Sequence, residues 1–215
     1  LHHCYGYVRV VDCDITNGSK WGITIHQSHF GLYDNNRITN CGGAGIAVED
    51  GPEYGNIISN NIVTNIFGDG LGEQGHNAGR NVADIGTGTP EDPYRTTGSH
   101  GNHGVGFWYR GIQNDIINNT AINCPIGHSG WVRFNIDRFR PVSRGDSPSQ
   151  YIPATPGLQN EFVFRGNKTI NCYTAYAFQG LGIFKAKDCS AEKSRDVLDA
   201  SYRDTLIFEG GSFQS

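Results

Sequence analysis

Apolar residues alternate with polar ones in short runs along the chain, and turns rich in Gly and Asn separate the runs. Val8 and Val10 form one such pair, and Ile23 and Ile25 another. A period of two places these side chains on one face of a strand. The run holding Ile23 and Ile25 is one of three that follow a Gly-rich corner: Trp21-Gly-Ile-Thr-Ile25, Ala44-Gly-Ile-Ala-Val48 and Gly104-Val-Gly-Phe-Trp108.

The runs repeat. Five segments align: Cys13-Asp-Ile-Thr-Asn17, Asn36-Arg-Ile-Thr-Asn40, Asn61-Ile-Val-Thr-Asn65, Asn119-Thr-Ala-Ile-Asn123 and Asn167-Lys-Thr-Ile-Asn171. The last position is always Asn, and the middle one is small or β-branched. The segments start 23, 25, 58 and 48 residues apart. The first two spacings define a coil of about two dozen residues, within the range of solenoid repeats. The longer two equal one coil plus an insertion. Asn suits the sharp turns between short strands because it tolerates the left-handed backbone region. Its amide can also bond to the same amide one coil away. These features predict an all-β, right-handed parallel β-helix, a single segment over 1–215 with insertions at about 69–103 and 135–160. A β-sandwich with chance Asn turns is the competing architecture. Ala191–Asp199 reads as a short helix, and the run from Leu206 to Phe213 resumes the coil. The chain is expected to be part of a longer one.

Cys41, Cys124 and Cys172 each follow a repeat-ending Asn. That placement fits an inward stack of small, half-polar side chains, or a disulfide between coils. No CxxC pair or Cys/His zinc spacing is present. Composition narrows the class further. Thirty Gly in 215 residues argue against a helix bundle, and a net charge of −4 gives no basic footprint for nucleic acid. No stretch is apolar for long enough to be a membrane segment. Asn17, Asn118 and Asn167 head Asn-x-Ser/Thr triplets and are candidate glycosylation sites.

Equivalent coil positions stack into stripes. After successive strands come His26-Gln-Ser-His29, Glu49-Asp-Gly-Pro-Glu53, Trp108-Tyr-Arg110 and Trp131-Val-Arg133. The expected register makes His26, Glu49 and Trp108 neighbours, and likewise Gln27, Asp50 and Tyr109. Glu49, Asp50 and His26 are the candidate catalytic groups, since paired carboxylates can act as acid and base in glycoside cleavage. His29, Trp108, Tyr109, Arg110, Trp131 and Arg133 are the candidate substrate contacts. Aromatic faces pack on sugar rings, and Arg forks a uronate carboxylate. Glu49, Asp50 and Glu53 could alternatively bind Ca2+, which takes several oxygen ligands. Exposed charges at strand ends also serve any solenoid by keeping its edges soluble.

The segments Gly22-Ile-Thr-Ile-His26, Gly31-Leu-Tyr33 and Ile46-Ala-Val-Glu-Asp-Gly-Pro-Glu-Tyr-Gly-Asn56 resemble the β-helix region of the cell-migration-inducing hyaluronan-degrading family and its fibrocystin-like relatives. Phe107-Trp108, Gln113 to Asn119 with Ala121, and Gly130-Trp131 continue the resemblance in the same order, over roughly residues 5–135. It implies a parallel β-helix at the cell surface or outside the cell. Its site positions map to His26, Glu49, Asp50, Glu53, Asn56, Trp108 and Asn119. Some members depolymerise hyaluronan, and the fibrocystin-like ones have no established enzyme activity. Two readings therefore stand at this stage. One is a hydrolase or lyase, or a binding module, for a glycosaminoglycan-like or uronic-acid polysaccharide. The other is a non-enzymatic adhesive or filament module. The expected partners are a glycan and flanking domains.

Overall fold

The computed structural model describes residues 1–4, 7–49, 53–67, 104–109, 113–131, 163–179, 183–201 and 205–214. They form three sheets in which every pairing is parallel. The first sheet stacks Arg9–Val11, Leu32–Asp34, Ile57–Ser59, Asp115–Ile117, Phe164–Arg165, Ile183–Lys187 and Thr205–Glu209. The second stacks Asp14–Thr16, Arg37–Thr39, Ile62–Thr64, Thr120–Ile122, Lys168–Ile170, Ser190–Glu192 and Ser212–Gln214. The third stacks Trp21–Ile25, Ala44–Val48, Val105–Tyr109, Ile126–Trp131, Thr174–Gln179 and Asp196–Ser201. The chain visits the sheets in turn, one strand each per coil, as a right-handed parallel β-helix.

The coil follows from its corners. Between the first and second sheets, Asp12, Asn35, Asn60, Asn118 and Asp188 all have positive φ, with Gly166 and Gly210 in the same column. Between the second and third, Asn17, Asn40, Asn65, Asn123 and Asn171 do the same. These are the repeat-ending residues, so the aligned Asn column is a column of left-handed turns.

The other Asn column is buried. Asn36, Asn61, Asn119 and Asn167 have no exposed surface. Each of the first three donates Nδ2–H to the Oδ1 of the next, at 2.9, 2.9 and 3.2 Å. The same Oδ1 atoms also accept the backbone N–H of the residue below, at 3.0, 3.1 and 3.0 Å. The column therefore satisfies main-chain donors at a corner where the sheets cannot. Cys13 and Cys189 hold the equivalent places at its two ends, and the Cys13 N–H donates to Asn36 Oδ1 at 3.1 Å.

Inside the coil, the first sheet contributes Tyr33, Ile58, Ile116 and Phe164, and the second Ile38, Val63, Ala121 and Thr169. The third sheet faces this second column with glycines. A Cβ on Gly45 would lie 2.3 Å from Val63 Cγ1, and one on Gly127 would lie 2.4 Å from Thr169 Cγ2. Ile62 pairs directly with Thr120, and Thr120 with Lys168. The two long intervals are thus single coils carrying extra chain, as the spacing predicts. Ala191–Asp199 is not a helix. Ser190–Glu192 and Asp196–Ser201 are the next rungs of the second and third sheets, and the stacking of Ala191 on Thr169 overrides local helix propensity. No helix of the described residues is long and apolar enough to cross a membrane.

Candidate functional site

The third-sheet strands end at a rim where the chain turns toward the next coil. Glu49 N–H donates to Ile25 O at 3.0 Å, which seats Glu49 directly over His26. His26 Nδ1 then meets Glu49 Oε2 at 2.9 Å, with both side chains about one-fifth exposed. A part-buried imidazole–carboxylate pair on adjacent rungs can hold and pass a proton. The sequence register is correct for these two residues.

It is not correct for the aromatic residues. Trp108 pairs with Ala47 and Tyr109 with Val48, so Trp108 lies two positions from the expected place beside Glu49. Gly45 and Gly106 share the glycine column facing Val63 and Ala121, and that packing sets the register. Phe107 and Tyr109 point into the core, while Trp108 sits in a second apolar cluster with Ala44, Ala47, Val105, Ile126 and Ala177. Both candidate contacts are buried, at 1% exposure each, rather than standing on an open stripe. The Tyr109 hydroxyl is 3.1 Å from His128 Nδ1, and burial pushes its pKa well above the usual phenol range. It is therefore not a base for a surface-bound sugar.

His29 is also interior. Its N–H donates to Cys4 O at 3.0 Å, and burial lowers the imidazole pKa to about 4. A neutral, enclosed ring does not contact a glycan. Glu53 is fully buried, and its Oε1 accepts the Gln27 N–H at 3.0 Å. Glu53 thus anchors the corner below His26. Asn56, carried over from the family resemblance, has the same structural role, with Oδ1 accepting Gly31 N–H at 2.8 Å. Asp50, Arg110 and Arg133 lie outside the described residues, as does the side chain of Trp131. Asn17 and Asn118 are exposed. Asn167 is not a glycan acceptor in the folded chain, because its buried amide donates to Ile116 O at 2.9 Å.

The cysteines after the repeat Asn residues line the interior. Cys41, Cys124, Cys172 and Cys189 are buried, and all six cysteines are free thiols. Sequence reasoning missed two features. One is an open groove at the opposite corner of the coil, between the second and third sheets. Phe67, Asn123, Asn171, Tyr173, Lys193 and Arg195 line it, and the Arg195 guanidinium lies 4.5 Å from the Tyr173 ring centre. The other is a gathering of histidines. His2 forms a parallel bridge with His26, and the ring centres of the two lie 4.1 Å apart. The signal was present in the spacing, since His2 and His26 are one coil length apart.

No curated protein matches the chain, and no solved structure does. A family model described as CEMIP beta-helix matches residues 3–175. That span covers the His26–Glu49 rim, the buried Asn column and four-fifths of the sequence, and the chain therefore belongs to the CEMIP beta-helix family.

Proposed function

We propose that this chain is an extracellular carbohydrate-active β-helix whose substrate class is a uronic-acid polysaccharide of glycosaminoglycan type. The observation that carries this reading is the His26–Glu49 pair, held at 2.9 Å on a part-open rim by two stacked coils. In either hydrolysis or elimination, one group must take a proton and another must give it. A hydrogen-bonded imidazole and carboxylate supply both without reorganising the backbone. The resemblance to hyaluronan-depolymerising members supports the same substrate class, and membership of the CEMIP beta-helix family is compatible with it. The groove at Tyr173 and Arg195 lies at another corner and would be a separate binding place, where the Arg195 guanidinium stacked on Tyr173 offers its charge to an acidic sugar. Exposed sequons at Asn17 and Asn118 are compatible with a secreted protein.

One observation favours the second reading, a non-enzymatic cell-surface module. Trp108, Tyr109 and His29 are all interior, so these three do not supply the aromatic platform that a sugar polymer would use. The test is incubation of the protein with a panel of uronic-acid polymers, following chain length with and without a calcium chelator. Cleavage by the wild type and its loss in Glu49→Gln, with unchanged melting, is the expected result. No cleavage by folded protein favours the second reading. Wild-type cleavage by Glu49→Gln removes this pair from the mechanism. Arg195→Ala is expected to weaken polymer binding.

A further inference from the structure

We propose that His2, His3 and His26 form a binding site for a first-row divalent transition metal of the Zn2+ class, with Glu49 as the outer partner of His26. Each of the three residues offers one ligand atom, and these atoms all lie within 4.8 Å of one another. A tetrahedral Zn2+ site with nitrogen ligands needs nitrogens roughly 3.3 Å apart. Binding would require rotation of the exposed His2 and His3 side chains to draw the nitrogens together from within 4.8 Å. The rings already converge, with centres 4.1 Å apart for His2 and His26 and 5.5 Å for His3 and His26.

Two further observations point to a built arrangement. First, the backbone is laced in place. The His3 N–H donates to His26 O at 3.1 Å, and Cys4 N–H donates to Ser28 Oγ at 3.1 Å. His3 takes the left-handed corner conformation, φ 52°, as Gln27 does at the same place one coil on, so the turn that presents it is part of the fold. Second, His26 Nδ1 is 2.9 Å from Glu49 Oε2. An imidazole that donates from Nδ1 to a carboxylate presents the lone pair of Nε2, the tautomer that metal-binding histidines adopt. Nitrogen ligands select Zn2+, Co2+ or Cu2+ over Ca2+, which prefers oxygen. Three protein ligands leave a fourth position open, and the exposure of His2 and His3 keeps it accessible.

The site is tested apart from polysaccharide cleavage, since binding is measured without substrate; the proton-transfer role proposed for His26 belongs to the metal-free protein. Zn2+ and Co2+ are titrated into the purified protein. One equivalent retained through gel filtration, with tetrahedral Co2+ absorption bands, is expected. His3→Asn keeps the left-handed turn, and His26→Gln keeps a polar side chain on the strand. Both are expected to abolish retention, and Glu49→Gln is expected to weaken affinity about 10- to 100-fold. If a variant misfolds, wild-type imidazole resonances decide the matter, and Zn2+ is expected to shift those of His2, His3 and His26 together. No retained ion, full retention by His3→Asn and His26→Gln, or shifts confined to other histidines would each overturn the site.

Discussion

Asn61 and Asn119 are separated by 58 residues, yet Asn61 Nδ2 donates to Asn119 Oδ1 at 2.9 Å, and the Asn61 main-chain N–H meets the same oxygen at 3.1 Å. One side-chain oxygen satisfies two buried donors on the coil below. Asn119 in turn donates to Ile58 O at 2.8 Å and to Asn167. The column is unbroken across the long interval between the two coils.

Replacing Asn119 with Ala leaves buried groups on two coils without partners. Each such group costs about 1–3 kcal/mol. Asn119→Ala is therefore expected to lower unfolding stability by about 3 kcal/mol or more. Asn123→Gly removes an exposed ladder amide while preserving its left-handed turn, and is expected to cost less than about 1 kcal/mol. Urea unfolding midpoints of the two variants test the difference, and equal losses would show that the buried column is not the stronger one.

The glycine column makes an equally sharp prediction. A Cβ on Gly45 would sit 2.3 Å from Val63 Cγ1 and 2.7 Å from Gly106 O. Gly45→Ala is expected to destabilise by about 1–3 kcal/mol through overpacking. Adding Val63→Ala relieves the first clash and not the second, so the double variant should remain less stable than Val63→Ala alone. Thermal melts of the three variants measure this.

The fold was open to sequence reasoning because it is written in residue types that the backbone prefers. The left-handed turns at Asn40, Asn65 and Asn123 favour Asn, though Lys193 holds the same corner further along, and the inward column of Ile38, Val63 and Ala121 favours small or branched apolar groups. The site was harder to read. Its residues are brought together by register, and register is set by glycine packing that leaves no polar signature. His26 and Glu49 were paired correctly because both directly follow a strand of the same length. Trp108 was misplaced because its strand begins at Val105, opposite Ala44. The helix expected at Ala191–Asp199 failed because propensity yields to stacking on a coil already in place.

Thiol chemistry separates the six cysteines. Cys13 is exposed and Cys4 half-buried, whereas Cys41, Cys124, Cys172 and Cys189 are enclosed. Burial pushes the Cys189 thiol up to about 11 and raises those of Cys41 and Cys124. Thiolate is the reactive form, so these groups resist alkylation until the coil opens. The Cys172 thiol is instead lowered by its hydrogen bond with Cys124, and its protection rests on enclosure alone. Brief iodoacetamide treatment of the native protein is expected to label Cys13 first and Cys4 next, and to leave the other four unmodified by peptide mass. Early labelling of Cys124 or Cys172 would place them at an opening rather than in the interior.

Acid sensitivity should trace to two buried imidazoles, His29, lowered by burial to about 4, and His128 at the centre of the coil, which offers the clearer test. The His128 ring stacks between Phe107, at 4.7 Å and 8°, and Tyr176, at 5.5 Å and 15°. Desolvation there lowers its pKa to about 3. In the unfolded chain the ring takes a proton near pH 6.5, and in the folded chain it stays neutral until about pH 3. The unfolded state therefore binds the extra proton, and stability is lost as pH falls through that window. Between pH 6.5 and 5 the loss from this one group is about 2 kcal/mol. His128→Phe keeps the stack and removes the titration. It should start from lower stability, because the Tyr109 hydroxyl loses its 3.1 Å partner, but its melting temperature should fall less steeply between pH 6.5 and 5. An acid slope identical to that of the wild type would mean that other groups carry the sensitivity.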